Sequence, residues 1–280
     1  MDPRRYQVFF WVGPPIAMSW LTLAFFDPDP GRSIFETIGV GYFFGSLFAH
    51  TTLAAAWSAL GSAPLLWRMP LSLIWVALLA VAVGINVEIN GGPKTGAIMV
   101  GAGLLAQWLL LQFLLWGLKL GFGLHLRHVD ESQRTFDPQE WQFGIRQLIV
   151  VTTIVGVVFG IGRLLVASMA EEVSLLQGEG PIILFLATAA IVLSLPLLLA
   201  GLMERRSLVG ILVTLVLIGV GTAVEGPLLA ELQRGSGPKL RDLIAINCFT
   251  AAFILVIVML VRRCGFSLAR LESRRSESKH

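Results

Sequence analysis

Long apolar runs alternate with short polar connections from one end of the chain to the other. Eight of them come close to or exceed the roughly 20 helical residues that cross a hydrocarbon core. They lie at about Val8–Phe26, Glu36–Leu60, Met69–Val87, Ala97–Leu118, Leu148–Ser168, Pro181–Met203, Ser207–Val224 and Leu243–Val261. None shows the two-residue alternation of a barrel strand, so the pattern predicts helices. In lipid, peptide groups find no water, and a helix satisfies them within its own segment. The expected fold is an all-α integral membrane bundle of about eight transmembrane helices.

Most connections are short, which makes consecutive helices antiparallel neighbours. The exception divides the chain into residues 1–118, a first four-helix half; 119–147, a connector with the start of an interfacial helix; 148–263, a second four-helix half; and 264–280, a basic polar tail expected to fray after a turn or two. The halves share an orientation, so a parallel duplication is geometrically possible, but no residue-level similarity supports one. Within the connector, Asp137-Pro138-Gln139-Glu140 is a helix start, with Asp at the N-cap, Pro at N1 and Glu placed for a capping box. Trp141, Phe143 and Arg146 suit the headgroup level that precedes the bilayer. The stretch from Gln142 to Thr153 (Q-F-G-I-R-Q-L-I-V-V-T-T) resembles the Q-F-x-I-R-Q-L-L lead-in to a transmembrane helix found in many uncharacterised bacterial polytopic membrane proteins. That resemblance implies a membrane span and brings no activity with it.

Composition agrees with the pattern. Hydrophobic residues make up 55% of the chain and charged ones 14%, far below the roughly 25% charge of soluble domains. Charge placement then orients it. With the N-terminus inside, Arg4, Arg5, Arg68, Lys119, Arg127, Arg134, Arg146, Arg205, Arg206, Arg262, Arg263, Arg270, Arg274, Arg275 and Lys279 are cytoplasmic. Arg32, Lys94, Arg234, Lys239 and Arg241 fall outside, and Arg163 lies within a helix. The loop from Ser168 to Gly180, with Glu171, Glu172 and Glu179, also goes outside. This is the positive-inside bias of an N-in, C-in protein of a bacterial inner membrane. Cytoplasmic flanks facing anionic lipid account for a pI of about 9.2 without nucleic acid. The bilayer is the expected partner, with other membrane proteins possible and the oligomeric state open. The first run is too long for a signal-peptide core and reads as a retained anchor. Cys248 and Cys264 fall in or next to one segment and provide no disulfide framework.

Polar residues at membrane depth are the candidate functional positions. His50, beside Thr51 and Thr52, suits either a proton relay or ligand contact, or a neutral imidazole that fixes packing; the second is the simpler expectation. Arg163 suits interfacial anchoring, near Ser168 and the outer glutamates Glu171, Glu172 or Glu225, or the grip of an anionic substrate. Gln107 and Gln112 are about 140° apart on their helix, so each is expected to bond a neighbouring helix rather than line one face with the other. Asn247, and Asn86 with Glu88, invite the same interpretation. His125 and His128 with Asp130 would share a helix face, but H-x-x-H lacks a third ligand here and Arg127 opposes a cation, so no metal and no cofactor are expected. Gly41-x-x-x-Gly45 and Gly156-x-x-x-Gly160 predict close helix contacts. Gly13-Pro14-Pro15 falls near the start of the first helix, and Pro196 predicts a kink in the sixth.

H-E-x-x-H, G-x-S-x-G and P-loop signatures are absent. A non-enzymatic scaffold, assembly or sensor component is therefore the leading expectation. A small-solute transporter with His50 and Arg163 beside its path is the alternative. An enzyme ranks third, since it would need Glu88, Glu225, Asp242 and Asn247 to converge at the outer surface.

Overall fold

A computed structural model describes residues 34–61, 65–89, 94–122, 124–128, 173–202, 240–263 and 265–270, with residues 212, 215–216, 218–223 and 227. The runs at Val8–Phe26 and Leu148–Ser168 lie outside the described residues, as do Arg163, the Asp137–Glu140 cap, Gly13-Pro14-Pro15, the Gly156/Gly160 pair, Glu171, Glu172, Glu225 and Cys264. The run at Ser207–Val224 is described in part, and residues 218–223 are helical.

The described elements are α1 (Ile34–Leu60), α2 (Leu65–Ile89), α3 (Lys94–Phe122), β1 (Leu124–His128), α4 (Val173–Leu202), α5 (Leu240–Arg263) and β2 (Phe266–Arg270). Among the described residues, four stretches are long and apolar enough to cross a membrane: Thr37–Leu60, Leu65–Ile89, Thr95–Phe122 and Leu240–Arg263. Each helix outruns the apolar segment that announced it. Backbone bonding must continue until headgroups or water can take over the terminal N–H and C=O groups, so helices persist past the last apolar side chain. α4 shows this most, starting at Val173 rather than Pro181 and taking Glu179 into its first turns. It is assigned as continuous helix through Pro196.

α1 occupies the centre and touches α2, α3, α4 and α5. It is also the least apolar of the four candidate spans, with mean hydropathy 1.2 against 1.9 to 2.7, while 72% of its apolar window is buried against 28 to 39% for the others. The two facts have one cause. A helix wrapped by protein can carry Ser46, His50, Thr51, Thr52 and Ser58 because all five are buried against protein and none is turned to lipid, whereas one facing lipid must present apolar side chains. α2 does so with Leu71, Ile74, Leu78, Val81 and Ile85, all exposed.

The tightest approach is between α1 and α5. A methyl added at Gly41 would lie 2.6 Å from Ala245 Cβ, and one at Gly45 2.7 Å from Phe249 Cβ, so the small-residue pair lets the two backbones nearly touch. Tyr42 then meets Phe249 and Phe253 edge-on, with ring centroids 5.9 and 5.4 Å apart. Contacts along this seam rise in step, Thr37 with Asp242, Gly41 with Ala245 and His50 with Phe253, so α1 and α5 run parallel. The same holds for α1 with α3, through Phe48 with Gln107 and Ala59 with Lys119. α4 also runs with α5, Ala190 sharing a cavity wall with Ile246 and Gly201 lying against Val258. α2 runs opposite to α3, with Ala80 beside Gly101.

A helices-only expectation omitted one element. β1 and β2 pair antiparallel, with Leu124 opposite Arg270 and His128 opposite Phe266. The chain leaves α5 through Gly265 at φ 83°, a left-handed conformation glycine adopts without Cβ strain. Gly265 N–H donates to Arg262 O at 2.9 Å, and this helix-ending turn aims Phe266 back along the strand that follows α3. The start of the tail is therefore a strand and not a fraying helix. α1, α3, α4 and α5 all end, and α2 begins, at the end of the bundle that carries this ribbon, here called the basic end.

Candidate polar sites in the bundle

His50 is 3% exposed, at mid-length on α1. Its Nδ1 lies 2.6 Å from Ser46 O on the same helix; a carbonyl only accepts, so Nδ1 carries the proton. Ser46 Oγ in turn donates to Phe43 O at 2.8 Å. The imidazole packs against the Phe253 ring, centroids 5.9 Å apart. Its nearest bonding is thus to its own helix and its nearest ring on α5.

Gln107 and Gln112 both turn to α1. Gln107 Nε2 donates to Phe48 O at 3.1 Å and to Thr52 Oγ1 at 3.0 Å, and Gln112 Nε2 donates to Ala55 O at 3.2 Å. The angular offset kept them from sharing a face in principle, yet an amide on two methylenes reaches the neighbouring helix from well off the line of contact. Asn247 makes an equivalent bond, donating from Nδ2 to Thr222 Oγ1 at 3.0 Å. The two arrangements repeat one device. Thr52 and Thr222 each give the hydroxyl proton to the carbonyl four residues back, Phe48 O at 2.9 Å and Ile218 O at 2.6 Å. The lone pairs then remain to accept a neighbouring amide. Buried Gln107 Oε1 and Gln112 Oε1 have no hydrogen-bond partner.

Phe48, Ala189, Ala190, Leu243, Ile246, Asn247 and Thr250 line a cavity of about 20 Å³ between α1, α4 and α5. A single water needs roughly 10–15 Å³ by this measure, so the space suits one water and no solute. Thr250 directs its hydroxyl to Ile246 O at 2.8 Å.

At the end opposite the ribbon, Asp242 accepts from Thr37 Oγ1 at 3.1 Å and lies 3.6 Å from Arg241 Nε. As the third residue of α5, Asp242 also sits where the helix dipole favours an anion. Among the described residues, Asp242 and Asn247 are engaged separately rather than gathered into one site. The His125 and His128 positions lie on β1. Residues three apart in a strand fall on opposite faces, so the shared-face premise for a metal pair fails. Asp130 and Arg163 lie outside the described residues.

The basic end contains the residues that sequence reasoning passed over. Cation placement alone puts Arg68 and Lys119 in cytoplasmic flanks facing anionic lipid. Instead α2 begins at Leu65 and α3 continues to Phe122, which puts both cations on helices. Arg68 Nη1 donates to Trp57 O at 3.3 Å, and Lys119 Nζ donates to Ala59 O at 3.2 Å. Both therefore bind the last turn of α1, whose carbonyls carry the negative end of the dipole; Trp57 O also accepts from Gly61 N–H at 3.0 Å. Arg262 Nη1 approaches Gly201 O at the end of α4, at 3.5 Å. The hint in the chain is a cation enclosed by apolar neighbours, in Leu65-Leu66-Trp67-Arg68-Met69 and again in Trp116-Gly117-Leu118-Lys119-Leu120.

Comparison of the chain with protein-family models, with curated proteins and with solved structures gives no match.

Proposed function

We propose that the chain is a multi-pass protein of a bacterial inner membrane, with eight spans and both termini in the cytoplasm, working without catalysis as a scaffold, assembly or sensor component. One observation carries the functional part. The amides at membrane depth, Gln107, Gln112 and Asn247, donate to carbonyls and hydroxyls of adjacent helices, which fixes the helices relative to one another.

Helix direction supports the span count. α3 and α4 are consecutive among the described helices, and contacts with α1 and α5 give them the same direction. A chain that leaves α3 at the basic end must return to the opposite end to start α4, and Leu148–Ser168 is the apolar run available for that crossing. α4 and α5 are parallel as well, and Ser207–Val224 supplies their return. The cation distribution supports the orientation.

The functional proposal is tested by thiol labelling in intact membranes, on a background with Cys248 and Cys264 replaced by Ser. Cysteines at His50 and Gln107 are expected to resist a membrane-impermeant maleimide from either side. Ready labelling at either position from water would overturn the scaffold proposal and favour a transport path through α1 and α3.

A further inference from the structure

The basic end holds more positive charge than helix capping needs. Arg68 and Lys119 come from different helices and converge on one turn of α1, at the carbonyls of Trp57 and Ala59. They are close enough to repel one another, and among the described residues no carboxylate pairs with either. A helix C-terminus presents roughly half an elementary negative charge, which offsets less than one of the two cations.

Arg68 adds the sharper observation. It is 5% exposed and bonds through Nη1, while its buried Nε has no hydrogen-bond partner. Nε belongs to the edge of the guanidinium fork that takes two oxygens of a phosphate or carboxylate at once. A buried cation with an unpaired donor is costly, and a ligand bringing negative charge removes that cost. Lys119 is half-buried, with Nζ 4.9 Å from the Trp116 ring centroid. Trp57 and Trp67 are exposed on the same end, and tryptophan marks the headgroup level of a bilayer.

We propose that Arg68 and Lys119 form a site for the phosphate of an anionic phospholipid. Arg68 supplies the paired donors, Lys119 the point charge, and the tryptophans set the depth. Basic pockets between transmembrane helices recognise anionic headgroups in this manner. The orientation proposed above assigns the leaflet, and lipid binding itself does not depend on it.

The test uses the purified full-length protein in neutral detergent, with phosphatidylglycerol, phosphatidylcholine or inorganic phosphate added at equal concentration. Thermal melting and native mass spectrometry read the binding. Phosphatidylglycerol is expected to raise the melting temperature and to remain bound, whereas the other two have no effect. Lys119→Gln should weaken phosphatidylglycerol binding about fivefold and the double variant with Arg68→Gln about 30-fold, given about 1 kcal/mol per cation near anionic lipid; Lys119→Arg should retain it. An equal response to phosphatidylcholine, or unchanged affinity in Lys119→Gln, overturns the proposal. An equal response to inorganic phosphate also overturns it, by assigning the cations to a free anion. Should Arg68→Gln fail to fold, the Lys119 pair and the wild-type comparison still decide. None of these outcomes bears on maleimide access to His50 or Gln107, so this proposal and the scaffold proposal fail separately.

Discussion

At the residue scale, the bundle depends on where side chains are missing as much as on where they are. Gly41 and Gly84 are both helical glycines, and helix propensity alone would favour alanine at each by about 1 kcal/mol. Their surroundings differ. A methyl at Gly41 would meet the Ala245 side chain and backbone inside 3 Å, while one at Gly84 meets nothing within 4 Å. Gly41→Ala is therefore expected to destabilise the protein by about 1–3 kcal/mol, the usual cost of overpacking, and Gly84→Ala to leave it unchanged or slightly more stable. Unfolding in mixed detergent measures both. Equal effects at the two positions would mean that the α1–α5 seam is looser than described. The Gly41-x-x-x-Gly45 spacing was legible as a close contact, but its partner helix was not, because spacing carries no information about which surface arrives opposite.

At the element scale, strands β1 and β2 are the feature the hydrophobic pattern could not announce. Leu124–His128 and Phe266–Arg270 are short, mixed in polarity and far apart in sequence. Their pairing arises because α3 and α5 finish at the same end and Gly265 turns the chain. Antiparallel partners have Cα atoms about 4.5–5.5 Å apart, within the range a disulfide spans. With Cys248 and Cys264 replaced, Arg127→Cys with Ser267→Cys, which face one another, should cross-link under mild oxidation. Arg127→Cys with Ala269→Cys, out of register by two, should cross-link far less. Fragments cut between the strands and still joined on a non-reducing gel report the bond; a stronger cross-link in the second pair would refute the register.

At the scale of the whole molecule, the parallel directions of α1, α3, α4 and α5 are what an alternating chain yields if one span is interposed between α3 and α4 and another between α4 and α5. A cysteine at Ser132 should then react with an impermeant maleimide from the cytoplasmic side, and one at Gly178 from the outer side. Reaction of both from the same side would remove the span at Leu148–Ser168 and with it the eight-helix topology.

What kind of solvent surrounds the chain, that its spans are helices, and roughly where five of those helices lie could all be read from residue order, because hydrocarbon imposes one length and one backbone solution on any segment that enters it. Cation placement likewise pointed to an orientation, since that bias is written residue by residue. Packing settled everything that depends on neighbours. It made the least apolar helix the central one, directed Gln107 and Gln112 to the same partner despite their angular separation, and brought Arg68 and Lys119 together on the last turn of α1. A side chain's type states what it requires; which helix supplies it is decided only when the helices meet.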